Sequence, residues 1–133
     1  MIAIADTGFI VSLWSKTPAR RRWAREWFER ATLPLLTSVA NVQEAGWLLN
    51  NHAYPIRMVV DGDLQIALDT QAEADALHRL ISKYAGRMDL ADASIVRLSE
   101  LNPRAKVLTV DKVDFKIYRR FGREHIPCDF PPA

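Results

Sequence analysis

Four carboxylates fall in stretches of this chain that are otherwise apolar. Asp6 closes the run "MIAIAD", and Glu44 stands inside "VQEAGWLL". Asp92 is flanked by Leu90, Ala91, Ala93 and Ile95 in "MDLADASIVRL", and Asp111 ends "KVLTVD". An unpaired carboxylate at or beside a buried face is costly. Each has an ordinary explanation on its own. Asp6 can cap a following helix, Asp89 can cap another with Asp92 in a capping-box-like position, Asp111 can start a turn, and Glu44 can pair with an arginine. Together they invite a common explanation, because converging carboxylates repel one another unless a cation neutralises them. Oxygen-only ligands suit a hard ion such as Mg²⁺ or Mn²⁺. His52, His78 and His125 are scattered, and no His/Cys cluster competes for zinc. An acidic site that holds such an ion serves phosphoryl chemistry, since the ion acidifies water, screens an anionic phosphate and stabilises the leaving oxygen.

The elements that must position these acids can be read from the pattern. Ile2 to Ala5 predicts a buried strand, and Gly8 permits the turn into a helical pattern over Phe9 to Trp14. Thr17-Pro18 is a helix start, and the helix that follows carries Trp23, Trp27 and Phe28 on one side. Further strands are expected at Leu33 to Leu36, Leu64 to Leu68 and Lys106 to Val110, with an edge strand at Ile126 to Phe130. Helices are expected from Val39 to Asn51, from Tyr54-Pro55 to Asp61, from Ala72 to Tyr84, from Asp89 to Leu101, and from Val113 to Phe121 ahead of Gly122. Strands alternating with helices predict a parallel sheet covered on both faces. In such sheets ligands bind at the carboxyl ends of the strands, where Asp6 and Asp111 would stand.

The bulk composition sets the frame. A chain of 133 residues, 49% hydrophobic and 26% charged, suits one folded domain spanning 1–133. A net charge of +2 permits a nucleic-acid partner without arguing strongly for one. Cys128 is the only cysteine, so no intrachain disulfide forms and a cytoplasmic setting is the default. No basic segment precedes the first apolar residues, so a signal peptide is not expected. No run approaches the roughly 18 apolar residues of a spanning helix, so no membrane partner is expected either.

In order and spacing, "IADTGFIVSL", "TSVANVQEAGWLL", "RMDLADASIVRLSE" and "VLTVDKVDFKIYR" resemble the four blocks of PIN-domain ribonucleases, particularly VapC-like toxins of toxin–antitoxin systems. The resemblance spans almost the whole chain. It implies a three-layer α/β/α sandwich around a mainly parallel sheet of four to five strands, Mg²⁺- or Mn²⁺-dependent cleavage of RNA, an antitoxin partner and a homodimer. It places the catalytic, metal-holding acids on Asp6, Glu44, Asp92 and Asp111. Thr7 and Thr109 match assisting hydroxyl positions, and Asp89 and Asp114 lie in the same blocks as cap and turn residues. A catalytically inactive PIN-fold module that binds RNA or protein is the alternative.

Other readings fit less well. Asp6-Thr7-Gly8 also matches the active-site triplet of aspartic proteases, but those enzymes oppose two triplets in a β-rich fold, and here a helical pattern follows the only one. A receiver-like or phosphatase-like domain offers no home for Glu44, and the phosphatase pattern wants an aspartate where Gly8 stands. Two basic groups complete the inventory. Arg20, Arg21, Arg22, Arg25 and Arg30 crowd one helix. Lys112, Lys116, Arg119, Arg120 and Arg123 follow the fourth strand, and the first four of these are candidates to hold RNA phosphates, against the alternative of a solvated helix face. Trp23, Trp27 and Phe28 read as core or, by the resemblance, as part of an antitoxin anchor.

Overall fold

The computed structural model describes all of residues 1–133. Five strands form one sheet: β1 (Ile2–Ala5), β2 (Thr32–Thr37), β3 (Leu64–Ile66), β4 (Lys106–Leu108) and β7 (Cys128–Asp129). Their order is β3-β2-β1-β4-β7, and every neighbouring pair is parallel. The helices are α1 (Thr7–Ser12), α2 (Pro18–Arg30), α3 (Val39–Leu48), α4 (Ala53–Val60), α5 (Ala74–Lys83), α6 (Leu90–Leu101) and α7 (Lys112–Ile117). This is the expected α/β/α sandwich.

Side-chain alternation on the central strands explains the three layers. Ala3 and Ala5 of β1 and Leu108 of β4 point to a cluster with Phe9, Ile10, Trp23, Leu35 and Met58. Ile4 and Val107, between them, point to a second cluster with Leu77, Ile95, Val96, Phe115 and Tyr118. A strand buried on both faces has no polar face to alternate with, so it reads as a continuous apolar run. Each fully buried Ile or Leu contributes about 1.5–3 kcal/mol, and Ile4, Leu35, Ile95 and Leu108 are completely enclosed.

The chain adds β2 and β3 on one side of β1, then returns to add β4 and β7 on the other. Between β1 and β4 the direction of growth reverses, and a crevice opens there beyond the strand ends. The pairing Ala5↔Leu108 sets Asp6 and Thr109 side by side at its floor. Gly8 lets α1 start close to the end of β4, since a Cβ there would run into the side chain of Val110.

The last third differs from the expected pattern. The helix expected to reach Phe121 stops at Ile117. The chain then forms β5 (Arg119–Arg120), which pairs antiparallel with β6 (Glu124–His125) around Phe121 and Gly122, both at positive φ. Leaving the helix early buries Tyr118 and Arg120. β3 ends at Ile66, although Leu68 remains buried.

Candidate active site

Asp6 follows β1 directly and N-caps α1, its Oδ1 accepting from the Thr7 amide at 2.8 Å. The Asn41 side-chain amide donates to the same oxygen at 3.2 Å, and the Thr109 hydroxyl donates to Oδ2 at 2.6 Å. Burial pushes the Asp6 pKa up to about 6. The bonds from Thr109 and Thr7 pull it back, and the charges of Glu44 and Asp111 push it further up.

Glu44 is set by α3. Ser38 caps that helix by accepting from the Asn41 amide at 3.3 Å, and its hydroxyl makes a very short bond to the Asn41 side-chain oxygen. Asn41 is fully buried and also donates to the Thr7 hydroxyl at 3.0 Å. One turn further on, half-buried Glu44 reaches the crevice beside the Thr7 hydroxyl. Partial burial raises its pKa, the charge of Asp89 adds to this, and the Thr7 hydroxyl opposes it.

Asp92 enters from the first turn of α6, which Asp89 caps by accepting from the Asp92 amide at 2.8 Å. The buried Tyr118 hydroxyl donates to Asp92 Oδ2 at 2.8 Å. Burial lifts the Asp92 pKa to about 7. The Tyr118 bond opposes that rise, while the charges of Asp89, Asp6 and Asp111 add to it. Asp111 caps α7 by accepting from the Asp114 amide at 3.0 Å, and its own amide donates to the Thr109 hydroxyl at 3.1 Å. Its pKa is raised, by burial first and by Asp114, with Arg87 opposing. Asp114 is ion-paired with Arg87.

Four acids from four separate segments therefore crowd one crevice and push one another toward the neutral form. No three of them are drawn into a ready ligand cage. Their chemistry nonetheless suits a hard divalent ion. All the donors are oxygens, and Asp92 Oδ1 and Asp111 Oδ2 accept no hydrogen bond.

The basic candidates separate. Lys112 and Lys116 are exposed on α7 with no ion-pair partner. Arg119 folds its guanidinium back onto the carbonyls of Lys116, Ile117 and Tyr118. Arg120 corrects the sequence reading. Only 5% exposed, it donates to the Ser99 carbonyl and hydroxyl, to the Pro103 carbonyl and to Glu124, and its unpaired Nε is buried too, so it is a structural cation turned away from any phosphate. Trp23 is buried with an edge-on contact to Phe9, while Trp27 and Phe28 are half-buried. Both indoles donate to Asp129 Oδ2, at 2.7 and 2.6 Å.

Two residues of the site escaped the sequence reading. Asn41, an amide three residues before Glu44 among Val39, Ala40 and Val42, is an oddity of the same kind as the acids. Tyr118 carried no signal, because its role depends on the early end of α7.

The geometry is that of a nuclease fold, and the comparison with known families agrees. The chain belongs to the PIN domain family, whose profile matches residues 3–126. PIN domains are generally nucleases that act on RNA with divalent ions. No curated protein matches the chain significantly. No helix is long and apolar enough to cross a membrane.

Proposed function

We propose that this protein is a Mg²⁺- or Mn²⁺-dependent endoribonuclease and the toxin component of a toxin–antitoxin pair. The observation that carries the reading is the uncompensated acidic crevice, with Asp6 raised to about 6 and Asp92 to about 7. Such a site is unfavourable alone and suited to a cation. Asp6, Glu44, Asp92 and Asp111 would hold the ion. When bound, it supplies positive charge to the phosphodiester and acidifies water for hydrolysis.

This chain's residues do the positioning. Thr109 and Asn41 fix the Asp6 carboxylate in one orientation, and Tyr118 does the same for Asp92. Thr7 and Thr109 stand beside the acids as hydroxyl donors, while Asp89 caps α6, Asp114 pairs with Arg87, and both contribute charge at the rim. Lys112 and Lys116 offer exposed ammonium groups for the RNA backbone next to Asp111.

The antitoxin partner is supported by a groove of Leu13, Arg25, Phe28, Glu29 and Met58 between α2 and α4, flanked by exposed Trp14 stacked on Tyr54. The homodimer rests on the resemblance alone. Purified protein should cut single-stranded RNA only when Mg²⁺ or Mn²⁺ is added, and Asp92→Asn should remove that activity while the far-UV CD spectrum is kept. Full activity in the folded variant, or in EDTA, would refute the proposal. A folded wild type that binds no ion and cuts no RNA would instead be a binding module.

A further inference from the structure

A second site lies outside the crevice. α5, α6 and the β5–β6 turn enclose a pocket lined by Arg79, Lys83, Arg97, Glu100, Arg119 and Gly122. Its charges divide cleanly. Arg97 is neutralised by Glu73 at 2.9 Å and Glu100 at 3.1 Å, and the second Glu100 oxygen accepts from the Phe121 amide. Arg79, Lys83 and Arg119 have no carboxylate partner. Lys83 Nζ is held on the Gly122 carbonyl at 2.9 Å and Arg119 on the carbonyls closing α7, so two of the three cations are fixed before any ligand arrives. Arg79 is exposed and touches no acceptor.

The pocket is joined to the catalytic crevice by aromatic rings. The Tyr118 hydroxyl holds Asp92, the Tyr118 ring meets Tyr84 edge-on at 5.1 Å, and Lys83 Nζ lies 5.4 Å from the Tyr84 ring. The Tyr84 hydroxyl in turn accepts from the Arg119 amide. Arg97 and Glu100 follow Asp92 on the same helix by about 7.5 and 12 Å of rise, so a strand whose reacting phosphate lies at Asp92 can reach this pocket with a neighbouring part of its backbone.

We propose that this pocket binds a non-scissile backbone phosphate of the RNA, a few nucleotides from the cut, through Arg79, Lys83 and Arg119. It rests on the nuclease reading for its substrate. Three unpaired cations around one concavity suit a phosphodiester, and prior fixing of two of them lowers the ordering cost of binding. Substrate hold then comes from a site remote from the chemistry, which gives affinity for long strands without bringing further cations to the acids.

The test compares the wild type with Arg79→Glu/Lys83→Glu, and with Arg79→Gln alone, whose side chain makes no contact that folding could miss. Affinity for a long labelled single-stranded RNA is read by anisotropy in EDTA across a salt titration. Hydrolysis of a dinucleoside monophosphate, whose only phosphate is the scissile one, is read with Mg²⁺. In the double variant the long strand should bind about tenfold or more weakly, with a slope against log salt shallower by about 1.4. Arg79→Gln should give about half that slope change, and dinucleoside hydrolysis should be unchanged in both. Unaltered affinity and slope for the long strand would overturn the proposal, as would an equal fall on both substrates. No hydrolysis by the wild type would strike the nuclease reading instead, and the binding arm, which needs no metal, would still decide the pocket.

Discussion

At the scale of single residues the site is defined by carboxylates that burial first, and one another's charge second, drive toward the neutral form. Asp6 and Asp92 hold a proton more tightly folded than unfolded, so each favours the folded state fully below about pH 4. That contribution is lost as the pH rises through about 6 and about 7. For buried Asp6 the loss is on the order of 3 kcal/mol. Asp6→Asn should therefore melt several degrees above the wild type at pH 7.5 in EDTA, with the gap closing by pH 4; a gap independent of pH would contradict the assignment. Asn41→Ala removes two buried donors from Asp6 and Thr7 and should cost about 1–3 kcal/mol in urea denaturation. Activity should fall about 10–100-fold as the proposed metal ligand Asp6 loses its orientation. Tyr118→Phe keeps the ring packing and removes the bond to Asp92 together with the long 3.4 Å contact to the Arg87 carbonyl. It should change stability by about 1 kcal/mol and shift the acidic limb of the pH–rate profile upward, because the group that lowers the Asp92 pKa is gone.

Elements place these residues, and they were legible in the sequence to different degrees. β1, α3, α6 and β4 were readable because two-sided burial and helical spacing leave strong patterns, and they bring Asp6, Glu44, Asp92 and Asp111 to one edge. The ribbon of β5 and β6 was not readable, since two-residue strands carry no periodicity and Tyr118 falls inside the Val113 to Phe121 stretch that reads as helix. That miss misassigned Arg120, because a cluster of basic letters says nothing about which guanidinium turns inward to the carbonyls of Ser99 and Pro103. The α1–β4 contact gives a direct test of element placement. Gly8→Ala should cost about 1–3 kcal/mol, since its methyl meets Val110, and Val110→Ala in the same chain should recover much of the loss. Thermal melts of the single and double variants supply the comparison.

At the scale of the whole molecule, the sheet is tied together by contacts between distant parts of the chain. The Asp129 carboxylate accepts from the indoles of Trp23 and Trp27, pinning the edge strand β7 to α2. Asp129→Ala leaves both indole N–H groups without that partner and should cost about 2–3 kcal/mol. A shift in tryptophan emission in the folded state should accompany it. Neither the partnership nor the pocket of Arg79, Lys83 and Arg119 was legible beforehand. Each joins segments whose sequences do not refer to one another, and only the strand order brings them together.

That strand order also carries a consequence for timing. β1, made before the other four strands of the sheet, lies in the middle of it, while its partner β4, with Thr109 and then Asp111 behind it, is made after β2 and β3. Until then one edge of β1 is bare, Asp6 lacks its hydroxyl donor, and the fourth acid does not exist. Domains fold as units when their partners are present. On the proposed reading, the four acids cannot meet until β4 and Asp111 have been made, so the site waits on that later segment however early its first acid is in place.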